Sequence, residues 1–236
     1  MTTLARLLDP FLSLLYPQRC LVCRALGEAA LCGTCLGQIV PVPEPSCPVC
    51  GHAVEPRDGC LNCLARRPAF VRARALGAYE GVLQTAIHHF KYHDRPQLAG
   101  PLGRCLADFA RTQAAHLNRL EFDGLVPVPM HRVRRRLRGY NQSERMARVV
   151  SAELGIPLCA ALERSRATRP QVGLARDARR SNLKNAFTVC FPERVVGQTL
   201  LLLDDVATTG SSLHECAVVL KAHGAKAVYA LTLAAG

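Results

Sequence analysis

Apolar positions along the chain follow two periods, and each predicts a different element. Leu200-Leu201-Leu202-Leu203 is apolar at every position and too short to span a membrane, the pattern of a strand buried on both faces of a parallel sheet. Shorter apolar runs predict further strands over Phe70–Tyr79, 123–129, Ala186–Phe191 and Ala227–Leu233. Helical spacing predicts helices over 81–90, from Pro96 to about Leu117, over Ser143–Leu154 (stopped by Gly155 and Pro157), and over Ser211–Ala222 (ended by His223-Gly224). Strands alternating with helices predict an α/β fold with a parallel sheet flanked by helices. Residues 158–185 are polar, basic and weakly periodic, which predicts a long mobile loop of the kind that closes over active sites.

The amino-terminal part follows neither period. Residues 1–17 predict a short amphipathic helix ending at Pro17; its polar face is not basic, which favours packing on the body over binding a membrane surface. Residues 18–68 hold four Cys-x-x-Cys pairs: Cys20/Cys23, Cys32/Cys35, Cys47/Cys50 and Cys60/Cys63. Two such turns supply the four thiolates of a tetrahedral Zn²⁺ site, and metal supplies folding energy to a module with little core of its own. Sequential pairing gives two ribbons in tandem with one or two structural zinc ions; a cross-braced pairing uses the same cysteines. Thioredoxin-like redox chemistry needs a βαβ context that is missing here. His52, between pairs, is expected at the surface. No secretory leader precedes the cysteines and no stretch reaches membrane-spanning length, so a cytoplasmic protein with reduced thiols is expected. Residues 69–236 form the remaining domain.

Charge adds a partner class. Of the net +12, residues 131–184 carry +10, with 14 Lys/Arg against 4 Asp/Glu. Such clustering predicts an anionic partner, either phosphates or nucleic acid. Trp is absent and aromatics make up 5%, which argues against base stacking on aromatic platforms. Arg132 and Arg134 follow the strand ending in Val128-Pro129 and are placed on a loop, where guanidinium groups bind pyrophosphate bidentately. Three histidines in 88–95 are placed on a loop near substrate rather than on a metal.

The candidate chemistry follows the leucine strand: Asp204-Asp205-Val206-Ala207-Thr208-Thr209-Gly210-Ser211-Ser212. Ligands of open α/β sheets bind at the carboxyl ends of strands. A small-residue turn opening a helix can point several N–H groups at one anion. Acids beside it repel a phosphate unless they contact sugar hydroxyls or Mg²⁺. A Walker B assignment lacks its G-x-x-x-x-G-K-[ST] partner.

This stretch resembles the 5-phosphoribosyl-1-pyrophosphate (PRPP) loop of type I phosphoribosyltransferases. With the cysteine pairs, Phe90-Lys91-Tyr92, Val128-Pro129, Arg138-Gly139-Tyr140-Asn141-Gln142, Thr168 with Gln171, and Arg179 with Asn182, nearly the whole chain resembles the ComF/GntX-like family. The resemblance implies that Asp204 and Asp205 hold the ribose 2′- and 3′-hydroxyls. Ala207 through Ser211 wrap the 5′-phosphate, with Val206 and Ser212 beside them in the PRPP site; Arg132 and Arg134 meet pyrophosphate, and Arg179 acts from a lid. It further implies Mg²⁺ with PRPP, and phosphoribosyl transfer to an unspecified acceptor. In some bacteria it implies a link to natural transformation, with single-stranded DNA and the competence machinery as partners. The alternative is a non-catalytic protein that binds single-stranded DNA and uses the PRPP fold as a binding module.

Overall fold

The computed structural model describes residues 18–27, 29–55, 59–166 and 183–236. The expected helix over 1–17, and Thr168, Gln171, Arg179 and Asn182 of the expected lid, lie outside these residues. The helices described are α1 (Gly33–Gly37), α2 (Leu61–Ala65), α3 (Gly81–Tyr92), α4 (Ala99–Thr112), α5 (Arg132–Arg138), α6 (Gln142–Leu154) and α7 (Ser211–Ala222). The strands are β1 (Arg72–Ala78), β2 (Gly124–Pro127), β3 (Leu162–Arg164), β4 (Phe187–Val189), β5 (Thr199–Ala207) and β6 (Ala227–Ala235).

The main sheet is parallel, in the order β1-β6-β5-β2. Its leucine run is buried on both faces. Leu201 and Leu203 pack into the core shared with α3, α4 and α6, while Leu200 and Leu202 pack into the core shared with α7 and the paired strands β3 and β4. Each such burial stabilises the fold by about 1.5–3 kcal/mol, so β5 is held firmly between two helical layers. The register sets Pro127 opposite Leu203, and Val128 N donates to Leu203 O (2.9 Å). Asp204 and the Val128-Pro129 turn therefore leave the sheet side by side.

Several expected boundaries shift. Helix α3 runs on to Tyr92, because Leu83, Ala86, Ile87 and Phe90 keep one face buried. His88 and His89 thus lie on a helix, with His93 at its end, rather than on a loop. The helix begun by Pro96 stops at Thr112, where the amide of Gln113 closes the last turn. The arginine run expected as a loop is helical, capped by His131 Nδ1 (3.3 Å from Val133 N) and ended by Gly139 at φ 80°. Within the expected 158–185 loop, Leu162–Arg164 pairs with Phe187–Val189 as a separate antiparallel ribbon.

The cysteines pair sequentially: Cys20, Cys23, Cys32 and Cys35 form one cluster, and Cys47, Cys50, Cys60 and Cys63 the other. Sulfur–sulfur distances are 3.7 Å for Cys20–Cys35, Cys23–Cys32 and Cys47–Cys63, and 3.3 Å for Cys50–Cys60. A tetrahedral zinc with Zn–S near 2.3 Å has S–S edges of about 3.8 Å, so the thiols fit that ion. Burial opposes thiolate formation, yet backbone N–H groups outweigh it at one thiol per cluster, lowering Cys20 to about 6 and Cys47 to about 7. The two ribbons lie on opposite faces of the sheet: Cys20 and Cys35 pack with α3 and α4, whereas Cys47 and Cys50 pack with α7. Both reach edge strand β1. Ala78 N donates to Val40 O (2.9 Å) and Ala73 N to Val49 O (2.7 Å), covering donors that an open edge exposes. Gly77 permits the first contact, since a Cβ there would lie 2.4 Å from Val40 O.

Metal analysis of the purified protein is expected to give two zinc ions per chain, one for each tetrad. The Cys60→Ser/Cys63→Ser variant should retain one, and chelation of both should lower the melting temperature. A single ion in the wild type would contradict two independent tetrads.

Candidate functional site

A cavity of about 970 Å³ opens at the carboxyl ends of β2 and β5. It sits at the upper end of the usual range for small-molecule sites, about 300–1,000 Å³. One wall is Asp204, Asp205, Val206, Thr208 and Ser212; the facing wall includes Arg134, Arg136 and Arg138 from α5. Arg164 of β3, Lys91 of α3 and Gln142 and Ser143 of α6 complete the lining.

The two acids are held differently. Asp205 is buried and its Oδ1 lies 2.6 Å from Lys91 Nζ. Burial alone depresses the Lys91 pKa, but the Asp205 charge, its hydrogen bond and the Asp204 charge together raise it. Asp204 Oδ1 accepts from Ser143 Oγ (2.9 Å) and from the Asp205 amide (2.9 Å). Burial and the adjacent Asp205 charge nevertheless push Asp204 up to about 7, against the opposing pull of Lys91. Near neutral pH the floor thus holds one paired carboxylate and one that exchanges a proton, so it repels a phosphate far less than two free carboxylates would.

Beyond Ala207 the chain bends through Thr208-Thr209-Gly210, with Gly210 at φ 66°, into the amino end of α7. The amides of Thr208, Thr209, Gly210 and Ser211 donate no hydrogen bond among the described residues. Thr209 Oγ and Ser211 Oγ lie 2.6 Å apart. Unspent amides at the start of a twelve-residue helix are able to donate together to one anion.

The Arg138–Gln142 motif builds the opposite side. Gly139 ends α5. Tyr140 OH donates to Phe90 O, and its ring stacks on Phe90 with centroids 5.5 Å apart. This contact fixes the end of α3 beside Lys91. Asn141 caps α6 by accepting from Ser143 N (3.2 Å) and donates to Val128 O (3.1 Å). Gln142 is 1% exposed, and neither end of its amide has a partner among the described residues. Such a group is costly to leave dry and faces the ligand space.

Of the residues expected at the site, Asp204, Asp205, Val206, Thr208, Ser212 and Arg134 line this cavity. Thr209, Gly210 and Ser211 border a small cavity behind the bend, and the Ala207 carbonyl is turned into the protein. Arg132 does not line the main cavity; it pairs with Glu163 (2.6 Å) on the surface. Lys91, Ser143 and Arg164 also line the main cavity, and the sequence pattern assigns none of them a role. The signal for Lys91 was present: it lies eight residues after Leu83, on the edge of the buried face of α3. His88, His89 and His93 stack among themselves and with Tyr92 and do not line the cavity. His52, expected at the surface, is 8% exposed, because its ring reaches the Ala207 carbonyl. No helix among the described residues is long and apolar enough to cross a membrane.

Comparison with known proteins agrees with this architecture. A double zinc ribbon domain matches residues 11–64 and a phosphoribosyl transferase domain matches residues 93–236. Competence protein F of Haemophilus influenzae is 33% identical over 227 residues, covering 92% of this chain and 96% of that protein. DNA utilization protein YhgH of Escherichia coli K12 is 34% identical over 221 residues, covering 90% of this chain and 94% of that protein. Competence protein ComFC of Bacillus subtilis is 22% identical over 217 residues, covering 87% and 84%. With paired cysteine tetrads on a parallel-sheet phosphoribosyltransferase fold, and full-length relatives at about one-third identity, the chain belongs to the ComF family.

Proposed function

We propose that the chain binds PRPP with Mg²⁺ at the β5–α7 bend and transfers its phosphoribosyl group to an acceptor, or senses it. The observation that carries this reading is the set of unspent amides from Thr208 to Ser211, directly after two carboxylates at the end of a buried strand. The amides and Ser212 hold the 5′-phosphate. Asp204 and Asp205 accept hydrogen bonds from the ribose hydroxyls, with Lys91 compensating the charge of Asp205. Arg134, Arg138 and Arg164 face the pyrophosphate, while Arg132 is engaged with Glu163. Arg179 belongs to the proposed lid. Mg²⁺, when bound, draws charge from the pyrophosphate oxygens. In transfer, the C1–O bond to pyrophosphate breaks with both electrons leaving on oxygen, the acceptor bonds to C1, and the acceptor gives up a proton. The protein's part is positioning and stabilisation of the departing charge.

A second reading, binding of single-stranded DNA, is favoured by α5. Arg134, Arg136 and Arg138 line the cavity from one short helix, and two of the relatives' names refer to competence and DNA utilization. Phosphate contacts of that kind weaken with salt. Fluorescence anisotropy with a labelled single strand is expected to lose at least tenfold in affinity between 50 and 200 mM salt, on the order set by a few released counterions. A flat titration would contradict it.

Calorimetric titration of PRPP with Mg²⁺ should give saturable heat for the wild type. Affinity should fall about tenfold or more for Asp204→Asn/Asp205→Asn, since charged hydrogen bonds are lost. No heat for the wild type, or equal heat for the variant, would overturn the reading.

The raised Asp204 pKa also fixes a sign. Between its unfolded value near 4 and about 7, the native state binds more protons than the unfolded chain, so this residue's contribution to stability falls as pH rises through that window. Asp204→Asn should therefore melt higher than wild type at pH 8, with the gap closing toward pH 4. Parallel melting curves at all pH values would contradict the assignment.

A further inference from the structure

The second ribbon does more than cover a sheet edge. His52 follows the Cys47–Cys50 knuckle by two residues, and its Nε2 donates to Ala207 O at 2.9 Å. Its Nδ1 lies 3.3 Å from Cys50 O, the carbonyl of a metal-site cysteine. Ala207 is the last residue of β5 before the bend, and its carbonyl also accepts from Gly236 N (3.0 Å). The far side of the bend is held from the chain just after the last cysteine of that ribbon. Ala69 N donates to His214 Nδ1 (3.2 Å), and Arg66 pairs with Glu215 (3.0 Å), both in the first turns of α7. Between these clasps, Cys50, Asn62, Arg66 and Phe70 face Thr209, Gly210 and Ser211 across a cavity of about 20 Å³. That is room for about one water molecule. Among the described residues the first ribbon makes no such contact; its cysteines pack with α3 and α4 on the other face.

The bend itself has little to hold it. Among the described residues its amides from Thr208 to Ser211 find no acceptor, and the Thr209–Ser211 hydroxyl pair is local. An anion cradle works only if its amides are aimed before the ligand arrives, because aiming them on binding costs affinity. The ribbon in turn owes its shape to metal, with no long helix or strand of its own. We infer that the second zinc ribbon positions the phosphate-binding bend through His52, so that metal in the Cys47/Cys50/Cys60/Cys63 tetrad and sugar phosphate in the cavity stabilise each other. His52 is a positioning residue: it touches the backbone of the bend and not the ligand. The coupling is reciprocal, as any linkage between two sites is. The inference rests on the phosphate-binding reading above and deepens it.

The test compares His52→Phe, which fills the space without a donor, with His52→Gln, whose Nε2 restores one. Both should keep two zinc ions per chain. His52→Phe should bind PRPP with Mg²⁺ about tenfold more weakly than wild type, the scale of one lost hydrogen bond. His52→Gln should recover most of that affinity. Without ligand, amide exchange at His214, whose N–H bonds Gly210 O (2.8 Å), should quicken in His52→Phe alone. Wild-type affinity and exchange in a zinc-loaded His52→Phe would overturn the inference. Failure of the wild type to bind PRPP would overturn the ligand reading instead, and the exchange comparison would still decide the role of His52. Should His52→Phe not fold, the wild type carries the test. PRPP is expected to slow loss of one of the two zinc ions to a chelator and leave the other unchanged, whereas equal loss with and without PRPP would contradict the coupling.

Discussion

The ion pair between Lys91 and Asp205 is the constraint on which the site depends. Two adjacent carboxylates at the end of β5 would repel any phosphate lodged in the bend that follows. Lys91 compensates one charge at 2.6 Å, and burial beside that pair leaves the other, Asp204, holding its proton up to about pH 7. Much of the surrounding structure serves this contact. Helix α3 runs to Tyr92 and so carries Lys91 to the floor, Phe90 anchors it in the core, and Tyr140 ties the Phe90 carbonyl to the arginine-helix side of the cavity. The Phe90-Lys91-Tyr92 and Gly139-Tyr140-Asn141-Gln142 segments, far apart in sequence, are two halves of one support.

The sheet supplies the rigidity that such a contact needs. Leucines packed on both faces hold β5 between two cores, and its parallel register with β2 brings the Val128 turn and the arginine helix beside Asp204. The ribbons close the opposite edge at β1, one on each face of the sheet. This division gives them different consequences: the first meets the α3–α4 layer, and the second meets α7 and the bend.

Much of this was legible from residue pattern, and the exceptions have physical reasons. The leucine run, the acids and the glycine bend are contiguous, so their local order dictates their arrangement. The Cys-x-x-Cys pairs were equally direct, although spacing alone allowed two pairings and only the fold selects the sequential one. What escaped was the set of contacts across sequence. His52 looked like a surface residue because its acceptor lies 155 positions away. Lys91 looked like part of a histidine-rich loop because three polar residues hid the continuing helical face of Leu83, Ile87 and Phe90. The arginine run looked like a loop because its charges mask a capped seven-residue helix, and one arginine in it, Arg132, turns outward to Glu163.

The central claim is that a sugar phosphate rests on the amides of Thr208 to Ser211. A crystal structure of the protein with PRPP and Mg²⁺ tests it most directly. The account predicts the 5′-phosphate within hydrogen-bond distance of those amides, with the ribose hydroxyls on Asp204 and Asp205. A 5′-phosphate bound instead on the arginines of α5, with the bend empty, would contradict it.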